Sequence, residues 1–324
     1  MNAPAPTAVV GDIGGTNARF AIADLSHPAA PRIAATAHLP SANYDSLEQA
    51  LGDYLSTVPV QPRLAVLAVA GPVQDGKALL TNLSWRVERQ SLLSLGFAAV
   101  SLVNDFCALA AAADALTEGD LERIGPDLER RDDATIALVG AGTGFGAAAL
   151  VREPGKAIAL AGEGGHIGFS PEGEEEVEIL RLLSARFGRV SIERILSGPG
   201  LVNLYTALAA VHAAPRELEE PHAIVSAAAA GQPLAAKALD RFAAIFGAAA
   251  GDIALTFGAR GGVLLAGGLS EAVFPVLTSG AFRRRFEGKG RLSNFVRAVP
   301  THLVRRPDAA LVGCARLAEA LLPA

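Results

Sequence analysis

The sequence lacks the features that hold together secreted, metal-dependent or nucleic-acid-binding proteins. Its 324 residues include only two cysteines. Cys107 and Cys314 lie far apart and match neither a disulfide framework nor the spacing of a zinc site. The net charge of −5 gives no general attraction to nucleic acid or to an anionic membrane. We therefore expect no structural zinc, no nucleic-acid partner and no membrane partner.

Segments for export or membrane insertion are lacking as well. Residues 1–8 contain no basic residue and no apolar core, so we expect no signal peptide. The longest apolar stretch, residues 242–257, is rich in alanine and is interrupted by Asp252, which favours a core helix over a membrane span. A cytoplasmic location is the resulting expectation.

Apolar residues, in contrast, are abundant. They make up 51% of the chain, which is enough for a large core, and the length exceeds the usual span of one core. We therefore expect two domains, with a junction near the charged residues 117–133. The basic run at residues 283–306 predicts a solvated or subunit-facing surface, because charge runs usually have that role.

Hydrophobic periodicity predicts several helices and strands. Residues 44–55 predict an amphipathic helix capped by Ser46 or Asp45, and residues 174–187 predict a helix whose buried face includes Val177. The short apolar runs at residues 64–70 and 98–103 predict buried strands of a largely parallel sheet. Residues 79–85 predict a further strand and loop.

The opening segment, VVGDIGGTNARFAIAD (residues 9–24), is predicted to form a strand, a glycine turn and a second strand. After the turn, Phe20 and Ile22 alternate with their neighbours, which is the periodicity of a strand. A dinucleotide fingerprint would instead lead into a helix, and a Walker loop needs Gly-Lys-Ser/Thr before one. The glycines let backbone N–H groups approach a ligand closely, and Asp12 is suited to hold Mg²⁺ directly or through water.

Two further glycine turns follow, in residues 140–146 and at Gly267 and Gly268. Residues 136–151 repeat the strand, turn and strand of the opening segment, which predicts an internal duplication with a ligand cleft between the copies. Two unrelated hairpins are the alternative. Backbone N–H groups in tight turns bind anions, so three converging turns are suited to a polyphosphate.

Asn104 and Asp105 follow a predicted buried strand and precede a helical pattern. A carboxylate at the carboxyl end of a strand lies where open α/β sheets bind ligands, and it can serve as a general base for a hydroxyl group. The alternative is that Asp105 caps a helix beginning at Phe106, and the local sequence alone favours that cap.

Glu163 and His166 lie in GEGGHIG (residues 162–168), which is too rich in glycine for a regular helix or strand. Such glycines let polar groups crowd around a small polyhydroxylated ligand. A single Glu and a single His are more often surface or satisfied core groups, and the four glycines favour a site. Glu193, beside Arg194, needs no function as an exposed helical residue.

Taken together, the motifs resemble the bacterial glucokinase family of the enteric type, within the sugar kinase, Hsp70 and actin superfamily. They run in the order of that family over nearly the whole chain: GDIGGTNARFAI (11–22), AGPV (70–73), LTNLSW (80–85), VNDF (103–106), GAGTGFG (140–146), GEGGH (162–166), ERILSGPG (193–200) and LLAGGLS (264–270).

The resemblance implies an α/β, two-domain actin-like ATPase (ribonuclease H-like) fold with a cleft between domains. It implies a small domain of residues 1–109 plus 302–324 and a large domain of residues 110–301. Asp105 is implied as the catalytic base, and Asn104, Asp105, Glu163, His166 and Glu193 as ligands of glucose. The implied ATP site consists of Gly11, Asp12, Ile13, Gly14, Gly15, Thr16, Thr143, Gly144, Gly267 and Gly268.

The implied function is transfer of the γ-phosphoryl group of MgATP to the 6-hydroxyl of D-glucose by a homodimer. The related zinc-containing kinases and repressors carry clustered cysteines after the matching His, whereas IGFSPEGEEEVEIL follows His166 here. An actin- or Hsp70-like ATPase without a sugar substrate and a non-catalytic sugar-binding regulator are the alternatives.

Overall fold

The computed structural model describes residues 6–27, 31–80, 85–153 and 156–322. Part of the strand and loop expected at residues 79–85 lies outside these ranges, at residues 81–84. Contacts divide the chain into two compact units. Unit 1 consists of Met1–Asp120, Ile158–Ala161 and Arg306–Ala324, and unit 2 of Leu121–Ala157 and Gly162–Arg305. The predicted domain boundaries, residues 1–109 plus 302–324 and residues 110–301, stay a prediction.

The described residues contain strands and helices in alternation. The strands are β1 (Thr7–Ile13), β2 (Asn17–Asp24), β3 (Arg32–Pro40), β4 (Leu64–Val69), β5 (Val73–Gln74), β6 (Lys77–Leu79), β7 (Arg86–Glu88), β8 (Ala99–Asn104), β9 (Leu121–Arg123), β10 (Ile136–Ala141), β11 (Phe145–Glu153), β12 (Lys156–Gly162), β13 (Gly262–Ala266) and β14 (Thr301–Val304). The α-helices are α1 (Leu47–Thr57), α2 (Arg89–Leu93), α3 (Asp105–Ala112), α4 (Gly173–Phe187), α5 (Gly198–Val211), α6 (Pro221–Ala229), α7 (Pro233–Phe257), α8 (Gly268–Ala272), α9 (Phe274–Leu277), α10 (Ala281–Glu287), α11 (Ser293–Arg297) and α12 (Ala309–Ala318).

The first sheet has the strand order β3-β2-β1-β4-β8. Strands β1 and β2 form the predicted antiparallel hairpin, and β1, β4 and β8 run parallel. Because side chains alternate along a strand, β1 faces two cores. Val9 and Ile13 pack with α1, while Ala8 and Val10 pack with Leu311 and Cys314 of α12. Both faces of this sheet are therefore buried.

A second sheet repeats this arrangement. Its order is β12-β11-β10-β13-β14-β9, in which the first five strands correspond one for one to those of the first sheet. Again a hairpin, β10 and β11, is antiparallel, and β10, β13 and β14 run parallel. The structural repeat predicted from the two glycine turns is confirmed, and the predicted cleft between the copies stays a prediction.

The predicted helix boundaries mostly agree with the structure. Ser46 caps α1 and accepts a hydrogen bond from the Gln49 N–H at 3.2 Å. Gly188, with φ of 72°, ends α4. The predicted buried face of α4 is wrong at Val177, which is 54% exposed. The helix is turned so that Glu176 enters the interior, because ion pairs with arginines compensate for burying its charge.

The prediction of a solvated or subunit-facing basic run is wrong for Arg283 and Arg285, at the start of the run. Arg283 is buried and donates to the Val299 carbonyl and to Glu287. Arg285 forms an ion pair with buried Glu176 at 2.7 Å. The carboxylates of Glu287 and Glu176 thus neutralise these two charges.

The long apolar segment forms α7 and lies in the core, as predicted, with residues such as Phe242 and Phe246 fully buried. Within the described ranges, we find no helix that is both long enough and apolar enough to cross a membrane.

Candidate active site

The first glycine turn joins β1 to β2 and is closed by backbone hydrogen bonds. The Gly14 N–H donates to the Asn17 carbonyl at 2.9 Å, and the Ser41 N–H donates to the Thr16 carbonyl at 2.9 Å. Ser41 also donates its hydroxyl to the Gly14 carbonyl at 3.3 Å. Ser41, in the segment that follows β3, therefore fixes the turn. Within the turn, Gly14, Gly15 and Thr16 are partly or fully exposed.

Asp12 lies at the end of β1, paired in register with Arg19 of β2. The two side chains form an ion pair, and Arg19 also donates to the Pro307 carbonyl at 2.7 Å. The Asp12 side chain is 13% exposed. A single partly accessible carboxylate suits a Mg²⁺ ion that brings its own phosphate oxygens and water.

Asn104 and Asp105 form the junction of β8 and α3. The Asn104 side chain caps the helix, since its oxygen accepts from the N–H groups of Phe106 and Cys107 at 2.9 and 3.3 Å. Its amide nitrogen donates to the Gly71 carbonyl at 3.1 Å. Asp105 is the first residue of α3 and Asn104 its N-cap, although the Asp105 Oδ1 also accepts from the Phe106 N–H at 2.9 Å, so the carboxylate contributes to the helix N-terminus.

Sheet register brings this junction to the edge that carries the first glycine turn. Ile13 is paired with Val69, and Val69 is paired with Asn104. Adjacent strands lie about 4.8 Å apart, so the ends of β1 and β8 are separated by roughly 10 Å. Asp12 and Asp105 therefore lie at one edge of the first sheet, at the carboxyl ends of parallel strands, where α/β sheets bind ligands.

The second glycine turn joins β10 to β11, and four other segments of unit 2 support it. Buried Ser270 accepts from the Ala141 N–H at 3.0 Å, and the Gly198 N–H donates to the Gly142 carbonyl at 2.8 Å. Gly267 has φ of 95°, and a Cβ there would lie 2.5 Å from the Ala141 carbonyl oxygen. Only glycine fits this position, which explains the predicted third turn.

Glu193 lies against this same turn. Its Oε2 accepts from the Phe145 N–H at 2.8 Å. The short 3-10 turn that carries it, Ile192–Arg194, is fixed by Ser197, which donates its hydroxyl to the Glu193 carbonyl at 2.8 Å. Ser197 also caps α5. A predicted sugar ligand and a predicted nucleotide turn are thus in direct contact.

Glu163 precedes a 3-10 turn, Gly164–His166, whose last residue is His166, and both Glu163 and His166 are exposed. The His166 N–H donates to the Glu163 carbonyl at 3.0 Å. Gly165 is buried against the Phe145 carbonyl, to which a Cβ would come within 2.2 Å. Glu163, His166 and Glu193 are therefore all attached to the β10–β11 hairpin.

Sequence reasoning missed three supporting residues, namely Arg19, Ser270 and Phe145. Arg19 and Ser270 lie inside the matched motifs, but nothing local predicts an ion pair or a buried hydroxyl group. Phe145 acts through its backbone, which carries no signal in the residue type. Within the part of the chain that the structure describes, no group of three or more His, Cys, Asp or Glu is arranged to hold a metal ion.

Comparison with known proteins identifies the family. A sequence model of the family described as Glucokinase matches residues 9–321. The chain is 46% identical to a glucokinase of Caulobacter sp. (strain K31) over 95% of this chain and 93% of the relative. It is 41% identical to a glucokinase of Xanthomonas campestris pv. campestris (strain B100) over 98% of this chain and 96% of the relative.

Solved structures agree. The crystal structure of a glucokinase from an Antarctic psychrotroph has a TM-score of 0.88 and 36% identity, with 97% of this chain and 99% of that chain covered. A ROK family glucokinase from Streptomyces griseus, solved with glucose and AMPPNP, has a TM-score of 0.64. At 20% identity, with 97% and 99% of the two chains covered, that likeness concerns the fold alone. The fold is the α/β actin-like ATPase fold, in agreement with the repeated sheet order.

The match of the family model, the identities above 40% over nearly the whole chain, and the glycine turns and acidic residues at the strand ends agree with one another. This chain belongs to the glucokinase family.

Proposed function

We propose that this protein transfers the γ-phosphoryl group of MgATP to the 6-hydroxyl of D-glucose and produces glucose 6-phosphate and ADP. The observation that carries the proposal is the position of Asp105. Its carboxylate begins α3 at the carboxyl end of β8, at the sheet edge that also carries Asp12 and the first glycine turn. The relatives at 40–46% identity are glucokinases, which supports the same reaction.

In this proposal Asp105 accepts the proton of the 6-hydroxyl as that oxygen attacks the γ-phosphorus in line. Asn104 fixes the strand-to-helix junction through its three backbone hydrogen bonds and so holds the neighbouring carboxylate in place. Glu163, His166 and Glu193 bind the other hydroxyl groups of the sugar. A hydroxyl group in another configuration would leave its partner among these residues without a hydrogen bond, so they favour one hydroxyl stereochemistry.

The nucleotide is held by the backbone of the glycine turns, with Gly11–Thr16 in unit 1 and Thr143, Gly144, Gly267 and Gly268 in unit 2. Asp12 would hold the Mg²⁺ ion that accompanies ATP, and the ion would supply neutralisation of charge on the phosphate oxygens. Phosphoryl transfer depends mainly on positioning and electrostatic stabilisation, so these turns supply much of the catalysis. We further propose a cytoplasmic homodimer, by resemblance to the family.

One assay separates this reaction from the alternatives. ADP release is measured with MgATP alone and with a panel of hexoses. A glucokinase releases ADP quickly with glucose and slowly without sugar. ADP release that needs no sugar would indicate an actin- or Hsp70-like ATPase, and glucose binding without turnover would indicate a regulator. Comparable turnover of galactose or mannose would contradict the roles given to Glu163, His166 and Glu193.

The role of Asp105 is tested with Asp105→Asn. A general base contributes about 10²–10⁴-fold, so kcat is expected to fall by about that factor while glucose still binds. Asp133→Asn is the matched control, because Asp133 is exposed and pairs with neighbouring Arg131. A near-normal kcat for Asp105→Asn would remove this residue from the role of base.

A further inference from the structure

The contact between Glu193 and the second glycine turn has a feature that a sugar ligand alone does not require. Besides accepting from the Phe145 N–H at 2.8 Å, the Glu193 carboxylate lies directly above Gly144. A Cβ at Gly144 would come within 2.5 Å of Oε2 and within 3.4 Å of the carboxyl carbon. The turn therefore supplies both a donor for this carboxylate and the space that it occupies.

We propose that Gly144 and the Phe145 N–H are positioning groups for the sugar: they set the place of the Glu193 carboxylate, and through it the affinity for glucose. This inference rests on the proposed function, in which Glu193 binds a sugar hydroxyl group. It assigns to a turn of the nucleotide site a second task, and it makes sugar affinity and nucleotide affinity depend on one hydrogen bond.

The surroundings of Phe145 make its N–H a fixed reference point. The side chain is buried, and its ring packs edge-on against Phe246 at 5.6 Å between centroids. Its carbonyl lies against Gly165, in the loop that carries Glu163 and His166. The opposite side of the turn is fixed by the Gly198 N–H, which donates to the Gly142 carbonyl. Movement of the turn is thereby opposed from the core, from the sugar loop and from α5.

Burial of Phe145 also strengthens the hydrogen bond between its N–H and the Glu193 carboxylate. A charge-assisted hydrogen bond to a backbone N–H is stronger than a neutral one, and the partly buried site screens it less than bulk water would. Glu193 keeps its remaining oxygen for a ligand, since the described hydrogen bond involves Oε2 alone.

The test places one methyl group at two positions of the same turn. Gly144→Ala pushes the Glu193 carboxylate aside, whereas a Cβ at Gly142 meets nothing within 4 Å. The displaced atom in Gly144→Ala is the free end of a flexible side chain, so the fold should tolerate the change. We expect little change in Tm for either variant.

Glucose binding is measured by calorimetry without nucleotide. Loss of one charge-assisted hydrogen bond corresponds to a rise in the glucose Kd of about 10- to 100-fold, which we expect for Gly144→Ala. Gly142→Ala should stay within about twofold of the wild type, because its methyl group touches no ligand of the sugar. Equal affinities in the two variants would overturn the inference, and failure of the wild type to bind glucose would instead contradict the proposed function.

A double-mutant cycle shows whether the effect passes through Glu193. Glu193→Asp shortens the side chain by one methylene group and withdraws its carboxylate from residue 144, so Gly144→Ala should cost much less affinity in that background. The same loss in both backgrounds would show that the methyl group acts elsewhere and would overturn the inference.

The effect of Glu193 on nucleotide binding can be measured without a change at Gly144. This test remains informative if Gly144→Ala fails to fold. Glu193→Asp should weaken binding of a non-hydrolysable ATP analogue several-fold in the absence of sugar, because the turn loses its acceptor for the Phe145 N–H. Glu217→Asp is the matched control, since Glu217 is exposed and lies outside the glycine turns and the segments that carry the predicted sugar ligands. Equal analogue affinity in both variants would contradict the coupling.

Discussion

The two large sheets share an order of five strands, but the two units have very different sets of buried polar residues. Buried polar or charged side chains in the described residues are unevenly divided between them. Unit 1 has Ser41, whereas unit 2 has Glu176, Ser191, Ser197, Asn203, Ser270, Arg283 and Thr301. Both hairpins are strand-paired and packed in apolar cores, but the second also forms hydrogen bonds with Ser270, with the Gly198 N–H and with the Glu193 carboxylate.

This difference teaches that one topology can be stabilised in two ways. In unit 1 the functional groups, Asp12 and Asp105, lie at strand ends and need little besides the sheet to align them. In unit 2 the predicted sugar ligands lie in irregular loops, which have no ladder of backbone hydrogen bonds. Buried side chains therefore fix those loops, and unit 2 should be more sensitive to the loss of single polar groups.

The largest effect is expected for Glu176→Gln. Glu176 is fully buried and pairs with Arg241 at 3.0 Å and Arg285 at 2.7 Å. A neutral amide there removes the shared partner of both arginines, which keep, within the described residues, only Glu175 and Glu172. Removal of one partner from a buried pair costs about 3–5 kcal/mol. Glu178→Gln on the same helix is the control, because Glu178 and its partner Arg181 are both exposed.

Two probes assign that loss to one unit. Trp85 is the single tryptophan and lies in unit 1, so its emission reports unfolding of unit 1, while circular dichroism reports both units. In Glu176→Gln the circular dichroism transition should begin well before the Trp85 transition. If both shift equally, the units are not stabilised separately and the comparison fails.

A medium effect is expected where a serine supports a glycine turn. Ser270→Ala leaves the buried Ala141 N–H without its acceptor, which costs about 1–3 kcal/mol. Ser41→Ala removes a longer hydrogen bond to the Gly14 carbonyl, at 3.3 Å, and should cost about 1 kcal/mol or less. Urea denaturation of the two variants measures the difference, and a larger loss for Ser41→Ala would reverse the comparison.

The smallest effect concerns pH. In unit 2, burial and the charges of Arg130 and Arg123 hold the pKa of His302 below its usual value, with Asp127 opposing them. The folded state then binds fewer protons than the unfolded state, so stability is lost as the pH falls below about 6.5. In unit 1, burial raises the pKa of Tyr54 to about 12. The contribution of Tyr54 to the stability of the folded state is therefore lost as the pH rises above about 10.

Unit 2 should therefore lose stability at low pH, and unit 1 at high pH. Exposed carboxylates such as Asp24 and Asp120 also have a lowered pKa, but solvent screens their contribution. We expect the unfolding transition seen by circular dichroism to precede the transition seen by Trp85 emission, and by a larger margin at pH 5.5 than at pH 7.5. His302→Gln should reduce that margin. A margin that does not depend on pH in the wild type would exclude this role of His302.

Much of the fold follows from local patterns. The alternation after Gly15 predicts β2, the apolar run at residues 64–70 predicts β4, and Ser46 predicts the start of α1. The wrong face of α4 shows the limit of this reasoning. Periodicity assigns apolar residues to the interior, but Glu176 is buried because two arginines from distant segments of the chain meet it there.

The candidate site divides in the same way. The sequence identifies the residue types: glycine turns for phosphate, Asp12 for Mg²⁺, Asp105 for a hydroxyl proton, and Glu163, His166 and Glu193 for a sugar. It could not decide between base and helix cap for Asp105, because both need a carboxylate after a strand. The structure gives the cap to Asn104 and leaves the base a prediction supported by position.

The sequence by itself determined the family, the repeated hairpin and the candidate site residues, because these depend on glycine, acidic residues and short-range alternation, which are visible in the residue types. Only the tertiary structure decided what holds them in place. Backbone atoms such as the Phe145 N–H and the Ala141 N–H receive their partners from residues 48 and 129 positions away in the chain. No local pattern encodes such a pairing, because a backbone N–H is the same in every residue that carries one and only folding selects its acceptor.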